Sequence, residues 1–543
     1  MRNILITVVL VAMAIGISVM YLKNLNPPGQ RSGKVMGNIP ADAALIFEYK
    51  NDPDFYDIFS GNPLLAGLIG KQKSNELKDL KASVLDNPNL KQLFDGQSIF
   101  ISIHPQANAD DIDFLITTSS ILNIDDKFDA MAKQKNGNVL IHEMALGAKK
   151  GYNVYLNDIK RRFYLVVNDD NSFSASFSQA LVQNAAKYRS EQHEKYFVQL
   201  SDQQNSNSIA NLYVNYKKLS PLFDQLFESK NTDIFRSFRL LSAIGAFSLN
   251  YKSDALMFNG ISHLNDQELK SYLDIFRYQQ PTINKLKGIF PASTAYSLNF
   301  AISNQIKFRN NLSQWQIVSG ATAEKKAVFS RIKRETSIDL EPEFMNLLGN
   351  EFALITTRYR EKIALIQLKN GLNLRPFMVN ISNMITDDIG EFKYDKLPFF
   401  LLGDAFTIFK RPYFMIADNY LIICNSQSGL TEYYKNYTKG NFLNKSDEYI
   451  GFDNLQADRS NISFFINFKN TTQILKESLK LRYAKAFDDE AIGWNQYYGA
   501  SYQLTTSEKD FYTNFYIRMK KPDVTETSPT AVEPDKAVSF TSN

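Results

Sequence analysis

Cysteine is almost absent from this sequence of 543 residues, in which Cys424 is the single example. One cysteine excludes an internal disulfide and any metal site built from several thiolates. The chain must therefore be stabilised by a packed core, which its length allows it to form. Because Cys424 lies in the apolar text "YLIICNSQ", we expect it to be buried and unreactive.

Histidine is also scarce, and all four copies lie in the first half of the chain: His104, His142, His193 and His263. No two of them have the spacing of neighbours on a helix, and the zinc-binding pattern His-Glu-x-x-His does not occur. We therefore expect solvated or hydrogen-bonded histidines and no metal centre.

Signatures of nucleophilic and acid–base catalysis are missing or weak. Ser330 and Lys333 have the Ser-x-x-Lys spacing, but the companion motifs are absent and the surrounding text predicts a basic, solvated helix. Adjacent carboxylates lie in loop or helix-cap text typical of turns; they are Asp110-Asp111, Asp125-Asp126, Asp169-Asp170, Asp387-Asp388 and Asp488-Asp489. The sequence thus predicts no catalytic, cofactor-binding or metal-binding residue.

Charge of one sign is lacking as well, because 61 basic residues face 57 acidic ones and the net charge is +4. Such a balance gives no strong attraction to nucleic acid, and we expect none as a partner. Two basic segments with aromatic residues, "KFRNNLSQW" and "KLRYAKAF", are interpreted as solvated faces.

The longest apolar run is residues 4–22, which contain no charge. As a helix this run would span about 28 Å, close to the thickness of a bilayer's hydrocarbon core. Ala12-Met13-Ala14 offers a small-x-small cleavage site, but eight more apolar residues follow it. An uncleaved anchor is therefore favoured, with a cleaved signal or a core helix as alternatives.

We expect a single-pass protein of a bacterial inner membrane with its bulk in the periplasm, since a short N-terminal anchor usually exports the chain that follows. The alternative is export after signal cleavage. Basic residues do not set the orientation, because Arg2 lies on one side of the run and Lys23, Arg31 and Lys34 on the other.

Four pairs of similar segments indicate an internal duplication. "GNIPADAALIFEYK" resembles "KGIFPASTAYSLNF", with Pro40 and Pro291 separated by 251 residues. The other pairs occur in the same order, at separations of 253, 256 and 252 residues; they align Gly96 with Gly349, Tyr164 with Tyr420, and Asn215 with Asn467. We therefore predict two units, residues 37–286 and 287–520, between an N-terminal segment, 1–36, and a disordered Pro-, Thr- and acid-rich tail, 521–543.

Within each unit, runs of strands are separated by helices, which favours an α+β fold with mainly antiparallel sheet over a doubly wound one. The pattern in unit 1 predicts a helix at Ser176–Tyr188, another at Leu222–Phe227, and a strand in "IANLYVNYKKL" with Leu212, Val214 and Tyr216 on one face.

The start "IPADAALIFEY" and the later "LFDGQSIFIS", following an N-terminal apolar run and linker, resemble a bacterial family of uncharacterised, membrane-anchored envelope proteins. The similarity covers the first third of each unit. It implies an envelope location and carries over no activity or site residue.

Two functions remain open. The first is a non-enzymatic envelope protein, acting as a scaffold or assembly partner or binding a lipid or peptide in the groove between units. The second is a hydrolase with its site in unit 1, where His142 or His193 would lie beside a carboxylate and a hydroxyl.

Overall fold

The fold is known from a computed structural model. It describes residues 35–520 apart from the following gaps: 54, 57–74, 76–77, 87, 89–90, 106–112, 121–122, 134–138, 158–159, 169–170, 188–207, 229–237, 239–240, 265–269 and 485–492. The predicted N-terminal segment up to residue 34 and the predicted tail lie outside the described residues.

Strands and helices contribute similar shares of the described part of the chain. The strands are β1 Leu45–Lys50, β2 Ser98–Ile103, β3 Phe114–Ser119, β4 Val139–Leu146, β5 Lys149–Leu156, β6 Arg161–Val167, β7 Ser172–Ser176, β8 Ala210–Asn215, β9 Ala243–Lys252, β10 Ala255–Leu264, β11 Thr282–Ile283, β12 Thr294–Ala301, β13 Leu348–Thr357, β14 Lys362–Leu368, β15 Ser382–Met384, β16 Ile389–Phe392, β17 Tyr413–Ala417, β18 Tyr420–Cys424, β19 Arg459–Ser460, β20 Ile462–Asn467, β21 Tyr497–Ser507 and β22 Asp510–Met519.

The α-helices of the described residues lie between the runs of strands: α1 Lys91–Phe94, α2 Ile124–Ala132, α3 Gln179–Lys187, α4 Tyr216–Leu226, α5 Gln305–Val318, α6 Thr322–Thr336, α7 Leu340–Leu347, α8 Gly371–Ile381, α9 Leu397–Leu402, α10 Gln427–Thr438, α11 Asp447–Asp453, α12 Phe468–Ser478 and α13 Leu481–Ala484. Short 3₁₀ turns and one π turn complete them: Lys81–Leu85 (π), Tyr272–Phe276, Leu286–Ile289, Asp404–Phe406, Leu443–Lys445 and Gly493–Gln496.

Twenty of the described strands form one antiparallel sheet, and β11 pairs separately with β19. Neighbouring strands across the large sheet follow the order β4-β5-β6-β7-β3-β2-β1-β8-β9-β10-β22-β21-β20-β12-β13-β14-β18-β17-β16-β15. The expected α+β class with a mainly antiparallel sheet is confirmed.

Both faces of the sheet are covered by helices, which explains strands that are apolar throughout. Along β14, Ala364 and Ile366 belong to the main hydrophobic cluster with α5, α7 and α8, whereas Ile363 and Leu365 pack on the other face with α10 and α11. Successive side chains of a strand point to opposite faces, so each face needs its own apolar set.

The pairing scheme of β1–β10 recurs in the second half of the chain. Leu45 on β1 lies opposite Ile103 and Val214, on β2 and β8. In the same way, Tyr296 on β12 lies opposite Thr356 and Ile466, on β13 and β20. The corresponding positions are 251, 253 and 252 residues apart, equal to three of the separations found in the sequence.

The two halves of the sheet meet where β10 pairs with β22. At the middle of this pair, Asn259 Nδ2 donates a hydrogen bond to Asn514 Oδ1 at 2.7 Å. Side-chain pairs lie near both ends: His263 Nδ1 is 2.8 Å from Asp510 Oδ2, and Arg518 forms an ion pair with Asp254 at 2.8 Å. Backbone pairing thus joins the halves into a continuous sheet.

Several local expectations need correction. Tyr216 does not continue the strand with Leu212 and Val214, because β8 ends at Asn215 and Tyr216 begins α4. The third sequence alignment, of Tyr164 with Tyr420, is one strand out of place. Tyr164 lies on β6 opposite Ser176, and its counterpart opposite Cys424 is Tyr413, whereas Tyr420 begins the next strand.

One strand is not predicted from the sequence, and because of it a predicted helix begins later than expected. Residues 172–176 form β7, so the helix expected from Ser176 begins only at Gln179. The helix expected at Leu222–Phe227 is longer than its pattern suggested and spans Tyr216–Leu226 with Pro221 inside it.

Candidate functional site

A hydroxyl, an imidazole and a carboxylate form a chain at the end of β2. Ser102 and His104 are two residues apart, so both side chains lie on the same face of the extended segment. Ser102 Oγ lies 2.8 Å from His104 Nε2, and His104 Nδ1 lies 2.8 Å from Asp42 Oδ1. Asp42 reaches this position because β1, which it precedes, is antiparallel to β2.

The geometry of Ser102, His104 and Asp42 indicates which atoms donate and which accept the hydrogen bonds. An ionised carboxylate only accepts, so His104 Nδ1 donates to Asp42, which leaves Nε2 of a neutral ring to accept from the Ser102 hydroxyl. Partial burial alone would raise the pKa of Asp42, but the hydrogen bond from His104, together with nearby positive charge, outweighs burial and lowers the pKa.

Burial separates this arrangement from a working catalytic triad. A nucleophilic serine must reach its substrate, yet Ser102 is fully buried, with an exposed fraction of 0%, and its Oγ also lies 3.3 Å from the Leu115 carbonyl. His104 is buried as well, while the carboxylate of Asp42 is half exposed. The hydrogen bonds among Ser102, His104 and Asp42 hold the turn containing Asp42 against β2. A backbone hydrogen bond from Ala44 N–H to the Ile103 carbonyl also joins the two segments.

A cleft of about 240 Å³ opens on the second half of the sheet. Its walls are the segment before β12, the loop between β13 and β14, and one side of α10; polar lining side chains include Thr357, Arg358, Glu361, Glu432, Asn436 and Asn441. Tyr433 is buried beside them and donates from its hydroxyl to the Ile289 carbonyl.

The histidines singled out in the sequence do not come together. His142 is exposed on β4, His193 lies outside the described residues, and His263 pairs with Asp510. Within the described residues, no group of three or more His, Cys, Asp or Glu side chains is arranged to hold a metal ion.

The remaining candidate nucleophiles lie in unreactive settings. Cys424 is buried, and burial raises the pKa of its thiol to about 11, so it stays protonated near neutral pH. Ser330 is exposed on α6, and Lys333 pairs with Asp339 at 2.9 Å. Lys333 is thus engaged with Asp339 at the exposed surface.

The paired aspartates are dispersed. Asp125 and Asp126 lie in the first turn of α2, and Asp387 and Asp388 lie in the exposed connection between β15 and β16. The pairs at 110–111, 169–170 and 488–489 lie outside the described residues. The described pairs thus belong to a helix start and a turn, where aspartate is favoured for its local hydrogen bonds.

The apolar run 4–22 also lies outside the described residues. None of the helices that the structure describes has both the length and the apolar character needed to cross a bilayer.

Comparisons with protein-family models, with curated proteins and with solved structures found no match to this chain. Functional conclusions therefore depend on its own residues.

Proposed function

We propose that this chain is a non-enzymatic binding and scaffold protein of a bacterial cell envelope, held at the inner membrane by residues 4–22 with its bulk in the periplasm. Two related units, 37–286 and 287–520, would present the surface for an envelope partner. The location rests on the uncharged apolar run and on the family resemblance of the "IPADA" start.

The observation that carries the binding role is the closed interior of the sheet. The main hydrophobic cluster continues from Phe247 and Phe258 in the first half to Phe300 and Phe464 in the second. An apolar gap near α7 and α8 leaves only about 10 Å³, less than a lipid chain needs. Solid packing favours a partner bound at the surface over a ligand carried inside.

Duplication of one ancestral unit is supported by the recurring strand pairs and by residues that pair with their own counterparts. Phe227 pairs with Leu479, which is 252 residues away, the separation found for Asn215 and Asn467. Asn259 and Asn514 are 255 residues apart, as are Ala255 and Asp510, the first residues of β10 and β22. Such self-pairing is expected about a twofold axis.

Mass spectrometry of the purified protein under native and organic-extraction conditions tests the closed interior. We expect the full chain, exchanged from detergent, to carry no stoichiometric lipid. A tightly held lipid that survives the exchange and occupies one site per chain would overturn the scaffold interpretation in favour of a ligand carrier.

The membrane location has an independent test. An alkaline phosphatase domain fused after residue 520 should be active in intact cells, since this enzyme needs periplasmic disulfides. Replacing residues 4–22 with a cleavable export signal should then release the fusion from the membrane fraction. An inactive fusion in intact cells would contradict the periplasmic orientation.

A hydrolase in unit 1 remains the second candidate, favoured by the 2.8 Å contacts that join Ser102, His104 and Asp42. Labelling with a fluorophosphonate probe, which traps activated serines, decides between the two. We expect no labelling of the native protein because Ser102 is buried. Labelling that disappears in Ser102→Ala but persists in Ser330→Ala would establish the hydrolase instead.

A further inference from the structure

We propose that the cleft in the second half of the chain binds a small zwitterion of amino-acid size, through Arg358 and Glu361. This site does not depend on the membrane anchor or on the scaffold role. Its volume of about 240 Å³ equals roughly eight water molecules and lies below the usual range for larger organic ligands.

Two opposite charges border the cleft without neutralising each other. Arg358 donates to the Tyr359 hydroxyl at 2.5 Å and stacks over its ring, but it forms no ion pair with a described residue. Glu361 Oε2 accepts from Ser426 Oγ at 3.0 Å and Cys424 Sγ at 3.5 Å, and no described cation pairs with the carboxylate. A ligand with a carboxylate and an ammonium group complements this arrangement.

The loop that carries both groups has a fixed backbone. Thr357 N–H donates to the Glu361 carbonyl at 3.0 Å, and Arg360 N–H donates to the Thr357 carbonyl at 2.8 Å. Arg360 adopts a left-handed conformation with φ of 68°, and its side chain turns to Glu477, so it does not compete for Glu361. The unpaired guanidinium and carboxylate are thereby presented from a preorganised hairpin.

Thr357 forms part of the cleft wall. Its side chain is buried, with an exposed fraction of 4%, and its Oγ1 lies beneath the surface, where it makes no hydrogen bond within the described structure. Arg358 and Glu361, which are at least partly exposed, are therefore the groups that a ligand in the cleft can reach.

Two positions of the cleft differ from their counterparts in the first half. By the separations of 251 and 253 residues, Ser293 and Thr357 occupy the places that Asp42 and His104 hold there. Asp42 and His104 are joined by a 2.8 Å hydrogen bond. Ser293 and Thr357 are smaller, which leaves more room beside the loop between β13 and β14.

Gly429 is a third cleft position that differs from its counterpart in the first half. Counted from the first residues of α3 and α10, Gln179 and Gln427, it corresponds to the buried Leu181. A Cβ at residue 429 would lie 2.6 Å from Glu361 Oε2, so a larger side chain would displace the carboxylate from the cleft wall. Glycine here keeps Glu361 in place beside α10.

In the proposed complex, the ligand carboxylate forms a bidentate contact with the Arg358 guanidinium, and its ammonium group binds Glu361. The half-exposed position of Glu361 and the exposed position of Arg358 leave both accessible from solvent. Thr357 and the ring of Tyr433 border the rest of the cleft.

Calorimetric titration of the full chain with the twenty L-amino acids, one at a time, tests the proposal. We expect at least one to bind with a millimolar or tighter dissociation constant. Its N-acetyl and its amide derivatives, each of which lacks one charge, should bind at least about tenfold more weakly. If no amino acid binds, or if the blocked derivatives bind equally well, the proposal is wrong.

Variants place the binding at the cleft. Arg358→Met and Glu361→Gln should each weaken the titrated affinity by at least about tenfold. Arg375→Met is the matched control, since Arg375 is an exposed arginine on α8 paired with Asp388. Unchanged circular dichroism melts show that each variant folds. Glu361→Asp keeps the charge but shortens the side chain, so it tests the position of the carboxylate, which Glu361→Gln does not. Equal affinities in Arg358→Met and the control would overturn the site.

Discussion

His104 illustrates how burial decides what a residue can do. In the sequence it is one of four scattered histidines, and among the three that the structure describes it is the one whose two ring nitrogens both have side-chain partners. The same burial that makes those hydrogen bonds strong keeps substrate away from Ser102. Its role in the structure is to fasten the chain before β1 to the sheet.

This role predicts a cost for removing the imidazole. His104→Ala leaves a cavity and two polar groups without their partner, so we expect the free energy of unfolding to fall by about 2–3 kcal/mol. His263→Ala is the comparison, because His263 is one-third exposed and its partner Asp510 keeps a bond from Leu264 N–H. Its cost should stay below about 1 kcal/mol.

Denaturant unfolding followed by circular dichroism measures both values. Equal losses of unfolding free energy in the two variants would show that the buried hydrogen bonds of His104 contribute no more than the partly exposed pair of His263 and Asp510.

At the scale of single elements, capping residues explain where several helices begin. Asn123, Asn304, Asn370 and Asn467 each precede a helix and accept a hydrogen bond from a backbone N–H in its first turn. Asparagine is suited to this position because its side-chain oxygen replaces the missing intrahelical acceptor. At α2, for example, Asn123 accepts from Asp125 N–H and the helix begins at Ile124.

We predict that Asn304→Ala lowers the free energy of unfolding by about 1 kcal/mol. Asn304 Oδ1 accepts from Lys307 N–H at 2.8 Å at the start of α5, and the side chain is exposed. Asn310→Ala in the middle of the same helix is the control, and it should be neutral or slightly stabilising because alanine has the higher helix propensity. Thermal melts of the two variants provide the measurement, and a loss in the control as large as in Asn304→Ala would contradict the capping account.

Strand β7 shows where sequence periodicity fails. Its text, "SFSAS", is mostly serine, yet all five residues are buried. Ser174 bonds to Thr117 at 3.2 Å, and Ser176 donates to the Phe114 carbonyl at 2.7 Å. Hydroxyls become compatible with burial only once a neighbouring strand supplies partners, and β3 is distant in sequence.

For the whole molecule, the junction between β10 and β22 makes the two halves depend on each other. The main hydrophobic cluster includes residues from both halves, so we expect one cooperative unfolding transition. Both tryptophans, Trp315 and Trp494, lie in the second half, whereas β10 belongs to the first. Tryptophan fluorescence therefore reports whether a destabilising substitution in the first half also lowers the stability of the second half.

Gly260→Ala is a destabilising substitution on β10, in the first half. A Cβ at residue 260 would lie 1.9 Å from the Ala246 carbonyl oxygen, so β9 or β10 must move and we expect a loss of about 3 kcal/mol. Gly288→Ala is the control, because the nearest atom to its Cβ would be 3.8 Å away. The fluorescence and circular dichroism transitions of Gly260→Ala should shift together. A fluorescence transition that stays at the wild-type midpoint would show that the halves unfold independently.

The sequence by itself determined the features whose signals are local: the antiparallel α+β class, the strand through Leu212 and Val214, and helices within residues 176–188 and 222–227. It also contained the separations of 251, 252 and 253 residues that recur between paired strands. Alternating apolar residues and capping side chains act within a few neighbours, so one chain segment is enough to reveal them.

Only the tertiary structure decided which distant residues meet. It brought Asp42 to His104 in the first half and formed a cleft at Thr357 and Gly429 in the second. It also joined the halves through β10 and β22. These outcomes depend on strand register and on the volumes of side chains far apart in the chain, and no local pattern encodes either of them.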